Sequence, residues 1–117
     1  MVHRLLAFFV AVVVASGCGV PSDAGEQADE VASVAAEGAL LAHDAESGNS
    51  TSAFVRTHAD ALRERLAALQ PRIAEPALRP VARETADALE LLAESPSASR
   101  VARRLERAAA RAHELAR

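Results

Sequence analysis

The sequence predicts an all-α fold, a small up-down-up-down antiparallel four-helix bundle, on three observations. Ala, Leu, Glu and Arg dominate the composition, Tyr and Trp are absent, and Phe54 is the sole aromatic residue after Cys18. These are strong helix formers, and a sheet core would need more β-branched and aromatic side chains. Apolar residues recur at alternating spacings of three and four in four stretches, about 24–46, 52–69, 80–94 and 97–116. Gly, Asn, Pro and Ser separate the stretches and keep the connections short, which favours neighbours that run antiparallel.

The chain opens with a segment of a different kind. Met1 to Arg4 carries one positive charge, Leu5 to Val14 is an unbroken apolar run, and small residues follow to Gly17. That is the three-part order of a secretory signal peptide, expected over residues 1–17. The run is too short for a spanning helix, which needs about 20 apolar residues. Ala15-Ser16-Gly17-Cys18 resembles the bacterial lipobox, although Ala15 stands where Leu is commonest. The resemblance implies that Cys18 becomes an acylated N-terminus bearing palmitate-like chains. It also implies an exported protein, anchored by lipid to the outer, extracytoplasmic face of the cell membrane. Two or three chains give stable attachment where one is marginal. Cys18 is the single cysteine, so no intramolecular disulfide competes for it. Residues 18–23 then form a lipidated tether, small and turn-prone, and 24–117 the bundle domain.

The first helix is expected over 24–46, with Val31, Val34, Gly38, Leu41 and Ala45 inward, closed by Gly48-Asn49. Ser50, Thr51 or Ser52 caps the second, 52–69, whose stripe reads Val55, His58, Leu62, Leu66 and Leu69. Pro71, Pro76 and Pro80 push their preceding residues from helical geometry, so 70–79 reads as a connector. Pro80 suits the first turn of a third helix running to 94, with Val81, Thr85, Ala88 and Leu92 on one face. Ser95-Pro96-Ser97 breaks it. The fourth helix, 97–116, shows a seam of Ala98, Val101, Leu105, Ala108, Ala112 and Leu115.

The net charge of −3 hides an uneven distribution. Seven acids and no base lie between Val20 and Ser47, whereas Arg100–Arg117 holds six arginines and two glutamates, a local charge of +4. Asp23, Glu30, Glu37 and Asp44 fall seven apart on one flank of the first helix. Arg104 and Arg111 occupy the corresponding flank of the fourth, so the two flanks are expected to face each other. Alone, the fourth helix repels itself through like charges four apart, as in Arg100/Arg104 and Arg107/Arg111. Its arginines therefore want an acidic neighbour, an anionic lipid surface or an acidic partner.

Signals of chemistry are sparse. His58 is the candidate functional histidine, read on an apolar face where a bonded structural histidine is the commoner case. His43 flanks the same turn, but histidines four apart on one helix are missing and no metal site is expected. The serines sit in turns where capping accounts for them, and no Gly-rich phosphate loop or cofactor motif occurs. No catalytic residue is assigned, and nucleic acid is excluded as a partner for an acidic chain without a stacking platform. Glu37-Gly38 and Phe54-Val55-Arg56-Thr57-His58-Ala59 resemble small helical exported proteins of high-GC Gram-positive bacteria that have no assigned function. The expectation is a non-enzymatic interaction or structural module of the cell envelope, with an unidentified protein partner. The alternative is a carrier of a small apolar ligand within the bundle, which Ala-rich packing disfavours.

Overall fold

The computed structural model describes residues 20–96 and 99–117. The expected leader 1–17, Cys18 and seam residue Ala98 lie outside them. Four α-helices are found among the described residues. α1 is Ala24–Glu46, α2 Ser52–Leu69, α3 Leu78–Glu94 and α4 Ser99–Leu115, with a 3₁₀ turn at Gln70–Arg72. Asp23 caps α1 by accepting from the amides of Gly25 at 2.8 Å and Glu26 at 3.2 Å. Gly48 ends that segment with φ +73, a left-handed conformation that needs no Cβ. Thr51 caps α2, its hydroxyl accepting from Phe54 N at 3.1 Å.

The third helix begins two residues earlier than Pro80. Glu75 accepts from Ala77 N through its side chain and from Leu78 N through its carbonyl. This turn feeds the helix at Leu78. Pro80 still lies in the first turn, where an amide has no intrahelical acceptor to lose, so proline costs nothing there.

The helices form a ring in which α1 contacts α2 and α4, and α3 contacts α2 and α4, with α1·α4 the most extensive interface. Neighbours are antiparallel. Gln27 near the start of α1 bonds Arg72 and Ala74, just beyond the end of α2. A Cβ on Gly25 would lie 3.7 Å from the carbonyl oxygen of Ala116, at the end of α4. Both helices of the α1·α4 pair bury small residues, among them Ala28, Ala35, Ala39, Ala102, Ala108 and Ala112, which lets helices approach closely. At Gly38 a Cβ would sit 2.8 Å from Leu89 and 3.2 Å from Leu105, so only glycine fits without displacement. Leu62, Leu66, Leu69, Leu78 and Leu92 complete the interior. Among the described residues the core runs from Ala28 to Ala112, and a fragment beginning at Gly19 carries this core.

The stripe of α2 is corrected at one position. Ala59, not His58, joins Val55, Leu62, Leu66 and Leu69 in the core, and His58 is exposed. Four residues on from Val55 returns closer to the same side of an α-helix than three does in this register. On the other helices, Ala45 is only half-buried and Leu115 is exposed.

The charged flanks pair differently from the expectation. Glu30 and Glu37 bracket Arg65 of α2, at 2.5 and 3.2 Å. Arg104 bonds Glu84 of α3 at 3.0 Å. A helix in a four-membered ring has a neighbour on each side, and a seven-residue spacing marks a flank without saying which neighbour it meets. The close α1·α4 approach leaves long ion pairs no room along most of its length. Among the described residues, a polar bridge between the two helices is found at the edge, from His43 to Glu106.

Gln27 is fully buried and has every polar atom engaged. Its amide nitrogen donates to the carbonyls of Pro21 at 3.0 Å and Arg72 at 2.7 Å, and its oxygen accepts from Ala74 N at 3.0 Å. One side chain thus ties the entering chain, α1 and the α2–α3 connector together.

Candidate functional site

The turn from Ser47 to Thr51 folds α2 back so that its first residues stand beside the last two turns of α1. Here Glu37, Leu40, Leu41, Asp44, Phe54 and His58 line an open groove of about 290 Å³. Among the described residues, Leu40 and Phe54 are the two most exposed large apolar side chains, 67% and 53% accessible. An apolar pair at that exposure, rimmed by charge, is the type of surface that marks recognition. His58 packs on Phe54, one turn away, with ring centroids 5.6 Å apart and a 57° tilt. Leu40 lies about 25 Å along α1 from Asp23, at 1.5 Å per residue, so the groove is at the opposite end from the chain entry.

Sequence reading pointed to His58 and missed the exposed leucine and phenylalanine beside it. The signal was present: Leu40 falls outside the Val31–Val34–Gly38–Leu41 stripe and Phe54 immediately precedes Val55, so periodicity itself turns both outward. The structure sends the two histidines to different neighbours, His58 to Phe54 and His43 to Glu106. Glu37 is held by Arg65. Among the described residues no group of three or more His, Cys, Asp or Glu is placed to hold a metal.

His43 also lies at this end of the bundle. Its hydrogen bond to the Glu106 carboxylate holds the imidazole above the ordinary value of 6.5, against a smaller desolvation effect, with Glu46 and Asp44 adding to the rise. A raised folded-state value makes the protonated bridge stabilising below pH 6.5, and that contribution fades as pH climbs through the raised value. The Tm of the parent should therefore exceed that of Glu106→Gln at about pH 5 and converge with it by about pH 9. A difference independent of pH would refute the linkage.

On the opposite side of the ring, α3 and α4 enclose a second open groove of about 500 Å³, lined by Glu84, Arg104, Arg107, Ala108, Ala110 and Arg111. It continues toward Ala77, Pro80, Val81 and Leu115. No helix among the described residues is long and apolar enough to cross a membrane. Comparison with known proteins leaves the reading to these surfaces: no family model, no curated protein and no solved structure matches the chain.

Proposed function

We propose that the chain is a lipid-anchored envelope protein whose helical bundle acts as a docking module, holding a protein partner at the outer face of the membrane. The observation that carries the reading is the separation between the Leu40–Phe54–His58 groove and residue 20. An acylated Cys18 would hold one end of the bundle at the lipid, and the groove would face away from it. The filled interior around Gly38, Leu89 and Leu105 favours surface docking over carriage of a ligand inside the bundle. His58 serves this reading as the polar edge of the groove, able to donate or accept a hydrogen bond beside an aromatic ring.

Two measurements test it. The intact mass of the protein from native membranes should equal residues 18–117 plus two or three acyl chains, and Cys18→Ala should lack them. A photo-crosslinker at Leu40 or Phe54 should yield one discrete adduct in cells that is absent with the crosslinker at Asp87. An unacylated mass removes the anchor, and equal adducts from Asp87 remove the groove as the docking site.

A further inference from the structure

Arg104 apart, the arginines of α4 are left without the acidic partner that the sequence suggested. Of the α4 arginines, only Arg104 enters an ion pair within 4.0 Å among the described residues, with Glu84, and none of these pairs uses Arg100, Arg103, Arg107 or Arg111. The apolar side of α4, with Val101, Leu105 and Ala108, is buried, so the cations project from the bundle. Arg100, Arg107 and Arg111, with Arg104 held by Glu84 between them, follow spacings of four, three and four. They form one stripe about 16 Å long beside α3.

Exposed apolar residues stand at both ends of this stripe. Leu115 is 37% accessible and shares a groove with Arg111 and Pro80. Leu91, 41% accessible, lies two turns beyond Glu84 on the same side of α3. The Leu115 end is also the end where the chain enters, because Ala116 approaches Gly25.

We infer that the α3/α4 face docks on an anionic phospholipid bilayer, with the arginine stripe on lipid phosphates and Leu91 and Leu115 at the headgroup–acyl boundary. Guanidinium groups match phosphate geometry with paired donors. Apolar residues flanking a cationic stripe fit a surface that offers phosphate and hydrocarbon together, which a soluble polyanion does not. A second copy is disfavoured on this face, since arginine stripe would meet arginine stripe. The inference rests on the proposed membrane location for its setting, but the face is complete without the anchor. The ring order places the Leu40–Phe54 groove on the opposite side, free while the α3/α4 face is occupied.

The fragment 19–117, which has no acylation site, separates this binding from anchoring. It should co-sediment with vesicles of phosphatidylcholine and phosphatidylglycerol in equal parts, and not with phosphatidylcholine alone. Arg107→Gln with Arg111→Gln should weaken partitioning about 25-fold, about five-fold for each arginine near an anionic surface. This variant should fold at least as well as the parent, because it removes a like-charge pair four apart. Arg56→Gln with Arg63→Gln on α2 makes the same change in net charge away from the face and should leave partitioning intact. The inference is overturned if the α4 variant binds like the parent, if the α2 variant loses as much, or if neutral vesicles bind equally. Displacement by free glycerol phosphate at matched phosphate concentration would likewise overturn it, assigning the site to a soluble anion. An unacylated native protein would remove the anchor and leave this result standing.

Discussion

Leu105→Ala should lower the unfolding free energy of the domain by about 2–5 kcal/mol, the range for truncating a fully buried leucine. Leu105 has no accessible surface, and its methyl groups close the space above Gly38 on α1. Glycine offers nothing that can move into the vacated volume, so the cavity stays largely unfilled and the loss should fall in the upper part of that range. In a domain of this size each kcal/mol shifts Tm by about 4–8 °C, which makes the change plain in a thermal melt. Gly38→Ala supplies a check of the geometry. In the parent, the gain in helix propensity of about 1 kcal/mol is opposed by crowding against Leu89 and Leu105. In Leu105→Ala one of those two obstacles is gone, so Gly38→Ala should be more favourable there than in the parent. Strict additivity of the two changes would show that the contact does not govern the α1·α4 spacing.

Gln27→Leu is the second large effect, about 2–4 kcal/mol, although the replacement keeps the volume and is more apolar. The loss comes from the groups left behind. Ala74 N–H and the carbonyls of Pro21 and Arg72 surrender their partner, and a buried unsatisfied polar group costs about 1–3 kcal/mol. Partial access of water to the connector keeps the total below three full penalties. Amide exchange gives the specific readout: Ala74 should lose protection by more than the change in global stability accounts for, while amides in the middle of α2 should follow the global change. A neutral Gln27→Leu would mean that water replaces the clamp without cost.

The helices were legible because their punctuation is local. Gly48 closes α1 and Thr51 marks α2 through bonds and dihedrals made within a few residues, and the Asp23 cap, equally local, was read only as one of the flank's acids. Pro80 was read rightly as a first-turn residue, but the rule that a proline drives its predecessor from helical geometry put the start too late, since Arg79 and Leu78 are already helical. The His58 and Ala59 exchange shows a different limit. On an alanine-rich helix the core position can belong to the smaller neighbour, and size gives no guidance at the margin of a stripe. Arg65 could not be paired from the sequence because its partners are set by which side of α1 faces α2, a property of the ring. Gln27 was legible in principle, since it lies one turn before Val31 on the buried stripe, where a polar side chain must find internal partners. The exposed Leu40 and Phe54 were likewise encoded by their departure from the apolar period.

The bonds between α1 and α2 also determine how the domain would carry a load. A pull applied between residue 20 and Phe54 acts at opposite ends of these two antiparallel helices, so it slides them along their length and does not peel them apart. The Gln27 bonds to Arg72 and Ala74 and the Arg65 bracket to Glu30 and Glu37 all cross that boundary. In sliding they are strained together, whereas peeling would take them one after another. A load along the line joining the chain entry to the exposed apolar groove would therefore be met by these bonds acting together.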